Sequence, residues 1–203
     1  MAEADVTLPV VVVTGARISD LRSSLGSVVR PNNFLVSLSL SLVVAEALKG
    51  TLSYDDISTS FSLRCEKAEL PGRTIATSDD MSIGTSLKLP YDMTYNDIQL
   101  SIICASDMKE RRFFEAWMRY VVKRNGTVAF YSDYAKGNTL SVSQLDDSGV
   151  AKLMYVCQDI YPIAITPMNA TWEENNTYQR FGVTLCYRYH IGATAGGAEI
   201  AVF

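Results

Sequence analysis

The chain has 203 residues, 48% apolar and 20% charged, with a formal charge of -4. These values exclude wholesale disorder, and the acidic balance lacks the basic footprint of a protein that grips nucleic acid. One histidine, His190, excludes chemistry built on paired histidines, and Cys65, Cys104, Cys157 and Cys186 are too far apart for a Cys-x-x-Cys motif.

The first residues carry Glu3 and Asp5, so no signal peptide is expected there. The run from Val10 to Ala16 imitates the first strand and turn of a dinucleotide fold. Its Gly15 is followed by no further glycine until Gly26, so it reads as an apolar arm or edge strand. Phe34 to Leu48 is too short for a membrane span, and Ser37, Ser39 and Ser41 fall on every second position.

Alternation of apolar and polar residues then recurs along the chain. Phe34, Val36, Leu38, Leu40 and Leu42 oppose the three serines, and Phe61, Leu63 and Cys65 oppose Ser60, Ser62 and Arg64. Leu87 and Leu89 oppose Ser86 and Lys88. Ile98, Leu100, Ile102 and Cys104 oppose Asp97, Gln99 and Ser101. Leu153 to Ile165 reads as a further strand. In the last run Val183, Leu185, Tyr187 and Tyr189 oppose Thr184, Cys186, Arg188 and His190, which leaves His190 exposed or interfacial. Period-two patterning with one wet face predicts antiparallel sheets.

One segment has helical period. Asp107 to Arg124 predicts an amphipathic helix, capped by Ser106 or Asp107 and ended by Asn125-Gly126. Phe113, Phe114, Trp117 and Val121 form its core face, and Arg111, Glu115 and Arg119 its wet face. Loops fall at Pro71-Gly72, Lys136 to Asn138, Asp146 to Gly149 and Asn169 to Asn176. No nucleophile elbow, phosphate loop or calcium loop is present, so neither a catalytic constellation nor a cofactor or metal site is expected. The organisation expected is an arm over residues 1–29, one β domain over 30–190 and a tail over 191–203.

The order of Arg30-Pro31-Asn32-Asn33-Phe34, Cys65 to Gly72, Tyr95 to Ile102, the helix with Arg112, Phe113, Phe114 and Trp117, and the strands at Tyr155–Pro162 and Phe181–Tyr189 resembles the tail tube proteins of contractile-tailed bacteriophages. The resemblance implies a mainly β barrel or sandwich with one flanking helix. It also implies hexameric rings, strands joining across subunits into one closed barrel, and rings stacked into a tube that passes DNA inside a sheath. Implied partners are the chain itself, tail sheath, baseplate and tail terminator proteins, the tape measure protein and transient DNA, with no membrane. The implied location is the virion tail, reached from the host cytoplasm during assembly. A baseplate hub or tube initiator, and the inner tube of a type VI secretion system, share the architecture. On this reading the polar set Asp79, Asp80, Ser82 and Thr85 is the candidate channel lining, on a hairpin from Arg73 to Tyr91.

Overall fold

The computed structural model describes residues 29–49, 61–80, 85–172, 177–194 and 199–200. Most of the N-terminal arm, including the Val10 to Ala16 run, and Ser82 lie outside the described residues, as do Glu173 and Glu174. The strands are β1 (Phe34–Ser39), β2 (Cys65–Ala68), β3 (Arg73–Asp80), β4 (Leu87–Tyr95), β5 (Ile98–Ile103), β6 (Thr139–Leu145), β7 (Ala151–Gln158), β8 (Tyr161–Ile165), β9 (Arg180–Cys186), β10 (Tyr189–Thr194) and β11 (Glu199–Ile200). They form a five-stranded sheet of order β1-β6-β7-β10-β11, a four-stranded sheet of order β2-β5-β9-β8, and a separate β3-β4 hairpin. All pairings are antiparallel.

The two larger sheets share one core. Val36, Leu38, Leu140, Val142 and Cys157 from the first meet Ile98, Leu100, Ile102, Phe181, Val183 and Leu185 from the second. The architecture is therefore an antiparallel sandwich with a flanking helix, and no barrel closes among the described residues. Strand β5 shows the causal pattern most cleanly: Ile98, Leu100 and Ile102 point inward and Gln99 stays wet.

Several local expectations change. The first strand stops at Ser39, because the Ser41 hydroxyl accepts from Val44 N and starts a helix over Leu42–Leu48. Residues 61–64 are helical and not a strand. The turn buries Phe61 against Phe114, with ring centroids 6.0 Å apart, and leaves Leu63 82% exposed. The long helix spans Lys109–Val121. Its N-cap is Met108 in the left-handed region, and the Asp107 carboxylate bonds the backbone of Lys109 at the first helical position. Asn125-Gly126 does not cap the helix C-terminus. It turns a small hairpin in which Val122 bridges Val128, and Gly126 takes φ +79 there.

The apolar stretch from Leu153 to Ile165 is two strands in two sheets. Asp159, at φ 57, breaks it between β7 and β8. The last run breaks in the same way at Tyr187 and Arg188, between β9 and β10. Because β7 pairs with β10 and β8 with β9, the four strands form one ribbon bent from sheet to sheet. Each bend shifts the side-chain parity by one. Cys157 and then Ile160 are buried, as are Tyr187 and then His190, so His190 lies inside and Tyr189 faces out. Arg188 N donates to Gln158 O across the bend, and buried Asn138 donates from Nδ2 to the carbonyls of Tyr134 and Ile160.

Candidate assembly surface

The β3-β4 hairpin is wet on both faces. Leu87 is 60% exposed and Tyr91 71%, with Ile75, Leu89 and Met93 also exposed. A two-stranded sheet without a covering layer is marginal in water, and these apolar side chains are what a cover would bury. The hairpin is therefore the strongest candidate for a surface completed by another chain.

The register decides where its acids point. Asp79 pairs with Lys88 and Asp80 with Leu87, so the two carboxylates project to opposite faces. Asp79 and Asp80 therefore do not share one face of the hairpin. Thr85 lies exposed just before β4.

The helix face Phe113, Phe114, Trp117 and Val121 is buried. Phe113 and Phe114 meet edge to face at 5.2 Å, and Trp117 Nε1 donates to Tyr134 O at 3.3 Å. Glu110 shares that face and is 2% exposed. Its carboxylate accepts from Arg64 Nη1 at 2.6 Å and from Ala105 N at 3.2 Å. Reading charges as solvated missed this residue. The available signal was spacing, since Glu110 lies three, four and seven positions before Phe113, Phe114 and Trp117. Arg64→Ala strands a buried carboxylate and is expected to cost about 2 kcal/mol or more of stability. Chemical denaturation of the variant measures it, and an unchanged midpoint removes the pair from the account of stability.

His190 is 3% exposed, at the root of the hairpin. Its ring lies 5.2 Å from Tyr95, 5.5 Å from Tyr155 and 5.9 Å from Tyr187. Cys157 is its cross-strand neighbour, and the Tyr187 hydroxyl bonds Gly72 O at the turn into β3. Burial, then the Arg73 cation, hold the imidazole below its ordinary value. A base lowered by folding is protonated first in the unfolded chain. Its contribution to stability is complete above about pH 6.5 and falls as the pH drops below that. Thermal melting between about pH 7 and pH 5 should therefore show a slope that His190→Gln flattens.

The remaining chemistry is sparse. Burial pushes the Cys65 and Cys157 thiols up to about 12, and the Cys104 and Cys186 thiols also rise, chiefly by desolvation. Among the described residues no three His, Cys, Asp or Glu side chains cluster as metal ligands. No helix among them is long and apolar enough to cross a membrane.

These features define a class: an antiparallel sandwich subunit whose hairpin has no cover among its own described residues. A family model for the phage tail tube protein matches residues 29–193, and the chain belongs to that family. Solved structures carry the same fold. The sheath-tube complex of an extracellular contractile injection system (PVC) in the extended state matches with a TM-score of 0.58 at 12% identity, over 86% of this chain and 97% of that one. The tube terminating cap of the anti-feeding prophage matches with a TM-score of 0.58 at 13% identity, over 83% and 92%. The sheath/tube terminator of the PVC system gives 0.57 at 13%, over 82% and 97%. No curated protein matches the chain in sequence.

Proposed function

We propose that the chain forms hexameric rings that stack into a hollow tube, and that the tube conducts a genome from capsid to host inside a contractile sheath. The observation that carries this reading is the hairpin, a separate two-stranded sheet whose apolar side chains are exposed among the described residues. The partners proposed are further copies of the chain, the sheath, the terminator and baseplate proteins, the tape measure protein and passing DNA. The subunit is read as structural and not enzymatic, folded in the host cytoplasm before it joins the virion tail. Within the tube the hairpin tip, with Thr85 and one carboxylate of the Asp79-Asp80 pair, extends the channel wall toward the next ring. An acidic or neutral wall suits that task, because it repels a polyanion within a Debye length of about 8 Å at physiological salt.

Electron microscopy and sedimentation of the purified chain, alone and seeded with baseplates, test this reading. Stacked rings are expected, and a chain that stays monomeric at high concentration when seeded overturns it. A hub or initiator role predicts few copies per particle, so band intensity in purified virions separates it from a tube.

A further inference from the structure

We propose that His190 is a proton-operated latch at the hinge of the β3-β4 hairpin. With its imidazole neutral, the root of the hairpin is clamped to the sandwich. With the imidazole charged, the clamp opens and the hairpin is released.

The hinge is narrow. The hairpin pairs with neither larger sheet, and its polar and aromatic ties to the sandwich gather at its root. There Asn96 N donates to Gly72 O at 3.3 Å and closes the base of the two strands. The Tyr187 hydroxyl, from the bend between β9 and β10, donates to the same carbonyl at 3.2 Å. Tyr95, the last residue of β4, packs its ring on Tyr187 at 5.8 Å and on His190 at 5.2 Å. Tyr155 of β7 adds a third ring at 5.5 Å from the imidazole. His190 therefore sits where the hairpin's ring, Tyr95, meets the sandwich's rings, Tyr155 and Tyr187.

The fate of an added proton follows from these bonds. The Tyr187 hydroxyl commits its hydrogen to Gly72 O, so its oxygen faces His190 Nδ1, 3.5 Å away, as an acceptor. The neutral imidazole then carries its hydrogen on Nδ1, and acid adds the second at Nε2. That creates a cation on a side chain only 3% exposed. Burial disfavours the cation first, and Arg73 at the start of β3 then repels it, while no carboxylate among the described residues offsets it. Asp97 acts on Tyr187 and Cys186. Arg188 turns outward to Asp159 at 3.8 Å. Cys157, Tyr95, Tyr155 and Tyr187 are all neutral below pH 7. A buried cation beside a like charge is relieved by reaching water. The shortest route is the hinge: displacing Tyr95 and the bond to Gly72 uncovers the ring without opening the core around β5 and β9.

The test reads the unassembled subunit, so it does not depend on whether copies form tubes. His190 is the one histidine in the chain, and its Cε1 proton gives a single NMR titration. Amide hydrogen exchange over β3, β4 and Asn96 is followed between about pH 7.5 and about pH 5, corrected for the pH dependence of the chemical step, beside β5 and β9. A hairpin released from the sandwich is marginal in water, so its ladder should open. Exchange in the hairpin is expected to rise about tenfold in acid, with its midpoint at the His190 titration, while β5 and β9 stay protected. His190→Gln, which cannot take the proton, should abolish the rise. Hairpin exchange that stays flat through the titration overturns the latch. An equal rise in β5 and β9 marks general unfolding and overturns it as well, as does a rise that persists in His190→Gln. The match of midpoints is read on wild type alone, so the test stands even where the variant fails to fold.

Discussion

Trp117→Ala is expected to lower the stability of the free subunit by about 3–5 kcal/mol, the usual cost of truncating a buried aromatic. Trp117 is fully enclosed, stacks on Phe114 at 6.4 Å, and bonds Tyr134 O through its indole nitrogen. The substitution leaves a void between the helix and the sheets and removes one of the two donors to that carbonyl, the other being Asn138 Nδ2. Phe113→Ala, beside it at 5.8 Å, should behave similarly. The measurement is the melting temperature of unassembled protein, where a fall on the order of 10 °C is expected for a domain of this size. Normal melting with lost assembly would place these rings at an interface and overturn the core assignment.

The second large effect concerns the hairpin tip. Reversing Asp79 and Asp80 to lysine adds two cations per subunit, repeated around every ring and along every stacked ring. Each can hold a phosphate, so genome delivery should fall by about tenfold or more while particle assembly changes little. The register sharpens this expectation. Because Asp79 lies opposite Lys88 on one face and Asp80 opposite Leu87 on the other, one single reversal should reproduce most of the delivery defect and its neighbour little of it. Equal delivery by wild type and all three variants would remove both aspartates from the channel.

The chain announces its antiparallel sheets because each strand of the sandwich must keep one face dry. In β5 and β9 the apolar residues fall on every second position, and their register follows from that. What stayed hidden depends on partners distant in sequence. The turn at residues 61–64 reads as a strand until Phe61 is known to rest on Phe114 and Arg64 to reach Glu110. The break inside Leu153 to Ile165 carries no glycine or proline, only Gln158-Asp159, and aspartate tolerates the left-handed backbone the bend needs. The matching bend at Tyr187-Arg188 is what moved His190 from the wet face to the core. The hairpin acids were legible as a polar set. Their opposed directions follow from pairing, which adjacency alone already suggests for a strand.

The bent ribbon also has a mechanical consequence. Its two strands cross from one layer to the other side by side, at Asp159-Ile160 and at Tyr187-Arg188, and are stapled there by the Arg188 N bond to Gln158 O and by Arg188 to Asp159 at 3.8 Å. Layers held only by side-chain packing can creep past each other under shear. Here such creep would have to stretch two covalent peptide chains that have almost no slack, since adjacent Cα atoms are fixed about 3.8 Å apart. Axial load applied to one sheet is thus passed to the other through bonded backbone. The subunit should deform as a single stiff block under that load, and yield at its contacts with other copies before its layers separate.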